Sequence, residues 1–136
     1  MILTLKHHFD AAHRLEFHTG LCRNLHGHRW EVEVEIEGWL DRDELLVDFG
    51  DIKKIINRFD HSTILKKCSG NEELISVLKK ENDEDKLCIL DVSPTAENLA
   101  YLLRHAITKF LIGLNINFKY VKVTLWESPE ASIEDK

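Results

Sequence analysis

The chain has 136 residues, 43% of them apolar and 31% charged, with a net charge of −6. That is the composition of one globular domain, spanning 1–136, with enough chain for a core of its own. The negative charge argues against a general nucleic-acid or membrane surface, though not against an anionic small substrate, and no apolar run nears the ~20 residues a bilayer span needs. Three cysteines cannot all pair within one chain and no signal peptide precedes them, so a reducing cytoplasm is the expected compartment. Eight histidines in so short a chain are the unusual feature.

The N-terminal segment alternates with period two. Leu3, Leu5, His7, Phe9, Ala11 and His13 share one face, which predicts an amphipathic strand with His13 on its apolar side. After a loop over about 15–25, Trp30, Val32, Val34 and Ile36 alternate with Glu31, Glu33, Glu35 and Glu37 in a second strand, and the two are expected to pair antiparallel. The period then changes: Asp48 is the expected N-cap of a helix with Phe49, Ile52, Ile55, Ile56 and Phe59 on one face, ending near Asp60-His61. Residues 71–80 fit a short amphipathic helix, the "ENDEDK" after them reads as a solvated loop, and "LCIL" (87–90) is too short to assign. Ser93-Pro94-Thr95 opens a second main helix, with Ser93 or Thr95 as its cap, Leu99, Leu102, Leu103, Ala106 and Phe110 as its buried stripe and Gly113 at its end. A last strand from about Phe118 places Val121, Val123, Leu125 and Glu127 on one face, with a short further strand left open in the tail. The fold class expected is α+β, helices on one face of an antiparallel sheet.

Side chains two apart in a strand emerge on the same face, roughly 6.5–7 Å apart along the chain. His26 and His28 therefore project together, and both can reach one zinc ion at ~2.0–2.1 Å, with His13 on the paired strand as third ligand. A lone histidine so placed would be read as a hydrogen-bonded core residue. Three in register, with a fourth position open, point to a catalytic metal. Cys22 has two readings from the residues alone: a fourth ligand closing a structural Cys-His₃ site, or a thiol beside the metal acting as base or nucleophile. Cys68 and Cys88 sit among apolar residues as small hydrophobes. Asp60-His61 is either a helix-end polar pair or an imidazole poised by a carboxylate to move protons. Glu127 occupies the apolar parity of its strand, where a carboxylate needs a partner; a ligand with two adjacent N–H donors would be one, and solvent at the strand end is the alternative.

"FDAAHRL" (9–15), "CRNLHGH" (22–28), "VDFGDIKK" (47–54), "DH" (60–61), "PTAENLA" (94–100) and "VTLWES" (123–128) occur in that order. Together they resemble the 6-pyruvoyltetrahydropterin synthase / 6-carboxytetrahydropterin synthase family over nearly the whole chain. The resemblance implies a tunnelling fold, a four-stranded antiparallel sheet backed by two long helices. Three subunits would join sheet edges into a barrel and two trimers stack into a homohexamer, with Glu127 and Cys22 of one site expected from different subunits. It assigns zinc to His13, His26 and His28, proton abstraction to Cys22, relay to Asp60 and His61, and the amino-pyrimidinone edge of the pterin to Glu127. Thr95 and Glu97 fall in the motif that lines the pterin pocket. The implied substrate is 7,8-dihydroneopterin triphosphate, the product either 6-carboxytetrahydropterin, with acetaldehyde and triphosphate released on the way to queuosine-type deazapurines, or 6-pyruvoyltetrahydropterin. Three residues between Cys22 and the HGH motif favour the carboxy branch. A zinc-containing pterin-binding protein without turnover is the alternative of another class, against which Cys22, Asp60, His61 and Glu127 together count. Two features depart from the pattern: a long acidic stretch between Asp60-His61 and Pro94, and a tail, "PEASIEDK", without an aromatic residue. Arg14, Arg23 and Arg29 stand near the site in sequence, which does not single out the residues that hold the triphosphate.

Overall fold

A computed structural model describes residues 1–136. The two alternating segments become long strands, β1 (Ile2–His13) and β2 (His26–Gly38), paired antiparallel so that His13 lies opposite His26 and Phe9 opposite Trp30. The last strand, β5 (Phe118–Ser128), adds antiparallel to β2 with Val34 opposite Val123. Along all three, the apolar set faces one way and is buried: Leu5, Phe9 and Ala11, then Trp30, Val32, Val34 and Ile36, then Val121, Val123 and Leu125. Helix α3 (Ala96–Gly113) and the shorter α1 (Phe49–Ile56) lie on that face. Asp48 caps α1 by accepting from Gly50 N–H, and Thr95 caps α3 by accepting from Asn98 N–H. Both helices thus start where their side-chain oxygens satisfy a free N–H group.

The stripe of α3 is rotated from expectation. Leu99 and Leu103 are buried as predicted, but Ala100, Ile107 and Leu111 complete the face, while Leu102, Ala106 and Phe110 are only partly covered. A helix apolar on more than half its circumference leaves the seam undetermined until the sheet is in place. Only one helix is long, and α1 ends at Ile56, four residues before Asp60.

The sheet is mixed, not antiparallel. Six strands run in the order β4-β3-β1-β2-β5-β6, where β3 is Ser62–Lys66, β4 Leu87–Leu90 and β6 Ala131–Asp135. β3 lies parallel to β1, with His13 beside Ile64, and β4 lies parallel to β3. Parallel neighbours need a crossover, and α2 (Glu72–Glu81), the helix expected over 71–80, is the one between β3 and β4. Ile64 and Leu65 are consecutive and both fully buried, so β3 carries no alternation from which it could be read. The tail forms the further strand that the sequence left open: β6 folds back on β5, Ile133 opposite Leu125.

The face away from α1 and α3 is a lattice of ion pairs. Lys6 meets Glu33 at 3.2 Å, Lys122 meets Glu35 at 3.3 Å and Lys119 meets Glu37 at 3.2 Å. These set cross-strand register more than stability, since such pairs are worth little where water reaches them. Register is fixed more firmly at Gly38, where the β2–β5 pairing shifts. A Cβ there would stand 2.7 Å from Leu46 Cδ1 and 2.8 Å from the Asn117 carbonyl oxygen. Gly38→Ala is therefore expected to destabilise the fold by about 1–3 kcal/mol, the range for overpacking. Urea denaturation of the variant at wild-type stability would contradict that close packing.

Candidate metal centre

The register of β1 and β2 builds the site. His13 and His26 face each other across the ladder, and His28 lies opposite Ala11, whose small side chain leaves room beside it. The three rings gather with centroids 4.6–5.2 Å apart. Glu127, at the end of β5, brings a carboxylate oxygen to 3.2 Å from His28 Nε2 and 3.9 Å from His13 Nε2. One ligand atom from each of these four residues lies within 4.8 Å of every other.

Main-chain carbonyls set the tautomers. His13 Nδ1 is 2.7 Å from the Pro94 carbonyl and His26 Nδ1 is 2.7 Å from the Asn24 carbonyl. A carbonyl only accepts, so each Nδ1 carries the proton and each Nε2 presents a lone pair inward. The two Nε2 atoms then stand 3.1 Å apart, a repulsive contact unless a proton or a cation lies between them. His28 Nε2 is buried and has no aligned hydrogen-bond partner, for although Glu127 is near, the angle is poor. Burial pushes His13 and His28 below the ordinary histidine pKa, against the opposing pull of the Glu127 carboxylate, and so favours the neutral, metal-binding imidazole. Inward lone pairs, an orphaned ring nitrogen and carbonyl-anchored outer nitrogens are what a bound cation requires. These residues fit a metal.

Beside the cluster lies a cleft of about 410 Å³, lined by Cys22, Thr95, Glu97 and Glu127 among others. The loop after β1 doubles back, Leu15 N–H donating to the Cys22 carbonyl at 2.9 Å, and so lays Cys22 against the start of α3 and the end of β5. Cys22 and Glu127 of the same chain thus line one cleft. Cys22 is outside the group of four metal-facing donors. Of the three arginines near in sequence, Arg29 turns to the opposite face and grips Asp10 with two bonds of 2.9 Å. Arg14 has a buried Nε without a partner.

Asp60 and His61 are a close pair, His61 Nδ1 donating to Asp60 Oδ2 at 2.9 Å, but they do not line this cleft. They are tied instead to Asp10, whose N–H donates to Asp60 Oδ1 at 2.8 Å and whose carbonyl accepts from His61 N–H at 2.7 Å. Burial alone would raise the Asp60 carboxyl; the bonds from Asp10 and His61 outweigh it and hold the group below its ordinary range. The sequence reading missed the carbonyls of Asn24 and Pro94 that orient the histidines. Backbone groups leave no mark in a residue pattern.

The sequence pattern of the 6-pyruvoyl tetrahydropterin synthase family matches residues 2–136. The chain belongs to this family. It is 35% identical over 133 residues to the 6-carboxy-5,6,7,8-tetrahydropterin synthase of Rickettsia bellii (strain RML369-C), covering 93% of each chain. With the enzyme of the same name from Haemophilus influenzae (strain ATCC 51907 / DSM 11121 / KW20 / Rd) it shares 31% identity over 135 residues, 93% of this chain and 92% of the other. Its fold is that of the 6-pyruvoyl tetrahydropterin synthase of Plasmodium falciparum, with a TM-score of 0.70 at 17% identity, covering 99% of this chain and 96% of that one. This family member is thus a tetrahydropterin synthase relative with the expected tunnelling fold, a candidate metal centre of three histidines and a glutamate, and no helix long and apolar enough to cross a membrane.

Proposed function

We propose that the protein is a zinc-dependent lyase that converts 7,8-dihydroneopterin triphosphate to 6-carboxy-5,6,7,8-tetrahydropterin, releasing acetaldehyde and triphosphate, in the route to queuosine-type deazapurines. The observation that carries this reading is the cluster of inward-facing histidine nitrogens opening beside a cleft that also holds a free thiol. The names of the similar relatives favour the carboxy product over the pyruvoyl one. Neutral nitrogen donors with an open position suit zinc.

His13, His26 and His28 would hold the ion, and when bound it supplies Lewis acidity to the substrate's side-chain oxygens. We assign Glu127 to the pterin and not to the metal, because a fourth protein ligand would close the position that the substrate needs. Its two acceptor oxygens suit the paired N–H donors of an amino-pyrimidinone edge. Cys22 accepts the proton as base. Thr95 and Glu97, at the start of α3, line the cleft and would border the pterin ring.

His61, oriented by Asp60, returns or relays a proton. Since one chain leaves this pair away from its own cleft, a neighbouring copy must bring it there, which makes the oligomer part of the catalyst. Strands β4 and β6 are open edges through which copies can join. The three unpaired cysteines fit a reducing cytoplasm. Incubation with 7,8-dihydroneopterin triphosphate should yield the carboxy product and acetaldehyde by mass spectrometry. The active species should scatter light as a trimer or hexamer of the 15.9 kDa chain. A diketone product would shift the assignment to the pyruvoyl branch. No turnover, or an active monomer, would overturn the mechanism.

A further inference from the structure

The acidic segment after α2 has a task that its composition hides. It closes in a short helical turn, Glu84–Lys86, and its acidic residues are exposed. Lys86 does not follow them into solvent. It is half-buried, and its Nζ donates to the Asp60 carbonyl oxygen at 3.1 Å. That carbonyl belongs to the peptide unit joining Asp60 to His61, and the N–H of the same unit donates to the Asp10 carbonyl at 2.7 Å. A peptide unit is planar, so a hydrogen bond at each end fixes its rotation about the chain.

That rotation carries strain. His61 has φ of 57°, in the left-handed region that side-chain-bearing residues avoid. Turning the unit over would return the His61 φ to negative values, which side-chain-bearing residues prefer, but it would part both Lys86 and the Asp10 carbonyl from their partners. It would also tilt the N–Cα bond of His61 and so re-aim its ring, 77% exposed, relative to the Asp60 carboxylate it meets at 2.9 Å. The carboxylate itself stays put, anchored by the Asp10 N–H. The backbone unit is the free variable, and Lys86 is one of its two restraints.

We propose that Lys86 is a positioning residue for the Asp60–His61 pair: it locks the peptide unit between them so that the imidazole keeps its bond to the carboxylate. The long acidic stretch is then the arm that delivers this lysine. The effect on the backbone stands on geometry alone, whereas any effect on turnover rests on the proton-relay role proposed above.

The test compares Lys86→Met, which keeps the aliphatic stem and removes the donor, with Lys86→Arg, which restores a cation, both in the native oligomer with zinc bound. Hydrogen–deuterium exchange of peptides spanning 57–62 should quicken in Lys86→Met by about 10-fold or more, the scale of losing a bond from a charged donor. Peptides spanning 30–37 in the β2 ladder should exchange as in the wild type. Turnover of 7,8-dihydroneopterin triphosphate should lose about 10-fold in kcat at unchanged KM, because the Lys86 donor is engaged by the Asp60 carbonyl and acts through the pair, so the loss is confined to the chemical step. Lys86→Arg should recover both. Unchanged exchange over 57–62 overturns the proposal, and so does faster exchange throughout, which would make Lys86 a general stabiliser. Local loosening with undiminished kcat overturns it as well. If the wild-type protein itself does not turn over this substrate, the functional reading fails, and the exchange data still decide whether Lys86 locks the pair.

Discussion

Cys22→Ala is expected to keep a full complement of zinc and to lose turnover by roughly 10²–10⁴-fold, the range for removing a general base. The two roles open to this thiol separate cleanly in the variant. A ligand must reach the ion, and the four donors that converge within 4.8 Å of one another come from His13, His26, His28 and Glu127. Cys22 instead lines the adjoining cleft, on a loop tied by its carbonyl to Leu15. Deleting its sulfur leaves the histidines and their carbonyl anchors untouched, so the melting temperature should scarcely move. Were Cys22 a structural ligand, metal affinity and stability would fall together, because forming the site and folding are linked. Zinc content, melting temperature and rate on this one variant decide the matter. Loss of zinc with a lowered melting temperature would sink the base assignment.

His28→Ala should release the metal. Loss of an outer-shell partner already costs a site roughly 10–100-fold in affinity, and loss of a direct ligand costs more. The variant also leaves Glu127 without its nearest partner, 3.2 Å away. The folded chain itself should tolerate the change, since the His28 side chain is 24% exposed and the core begins at Trp30. The expected signature is therefore a chain that folds, melts at the temperature of the chelator-treated wild type, and no longer gains stability from added zinc. In the wild type that gain should be about 2.7 kcal/mol at a free zinc concentration 100 times Kd. Elemental analysis showing one zinc per chain in the purified variant would end the assignment of His28 as a ligand.

Much of this was legible in the residues. Period-two alternation located β1, β2 and β5 because each has one face on the core and one on water. The same parity put His13, His26 and His28 on the core-facing side, so the candidate metal centre was readable as an interruption of the hydrophobic pattern. Asp48 announced α1, and Ser93 or Thr95 announced α3, because capping is a local matter of one side chain and one N–H group; the structure gives the α3 cap to Thr95.

Tertiary structure decided whatever depends on packing or on backbone partners. β3 carries Ile64 and Leu65 side by side, both buried, and a strand covered on both faces has no period to betray it. The parallel half of the sheet and the seam of α3 followed from that packing. The placement of Cys22 and Glu127 in one cleft came from a loop that folds back, through a bond between two main-chain groups. The tautomers of His13 and His26 rest on the carbonyls of Pro94 and Asn24, the former 81 residues from its histidine. Lys86 stood in a run of acidic residues and looked like surface. Its partner is a carbonyl 26 residues away, and a main-chain oxygen is the same at every position of a sequence until folding gives it a place.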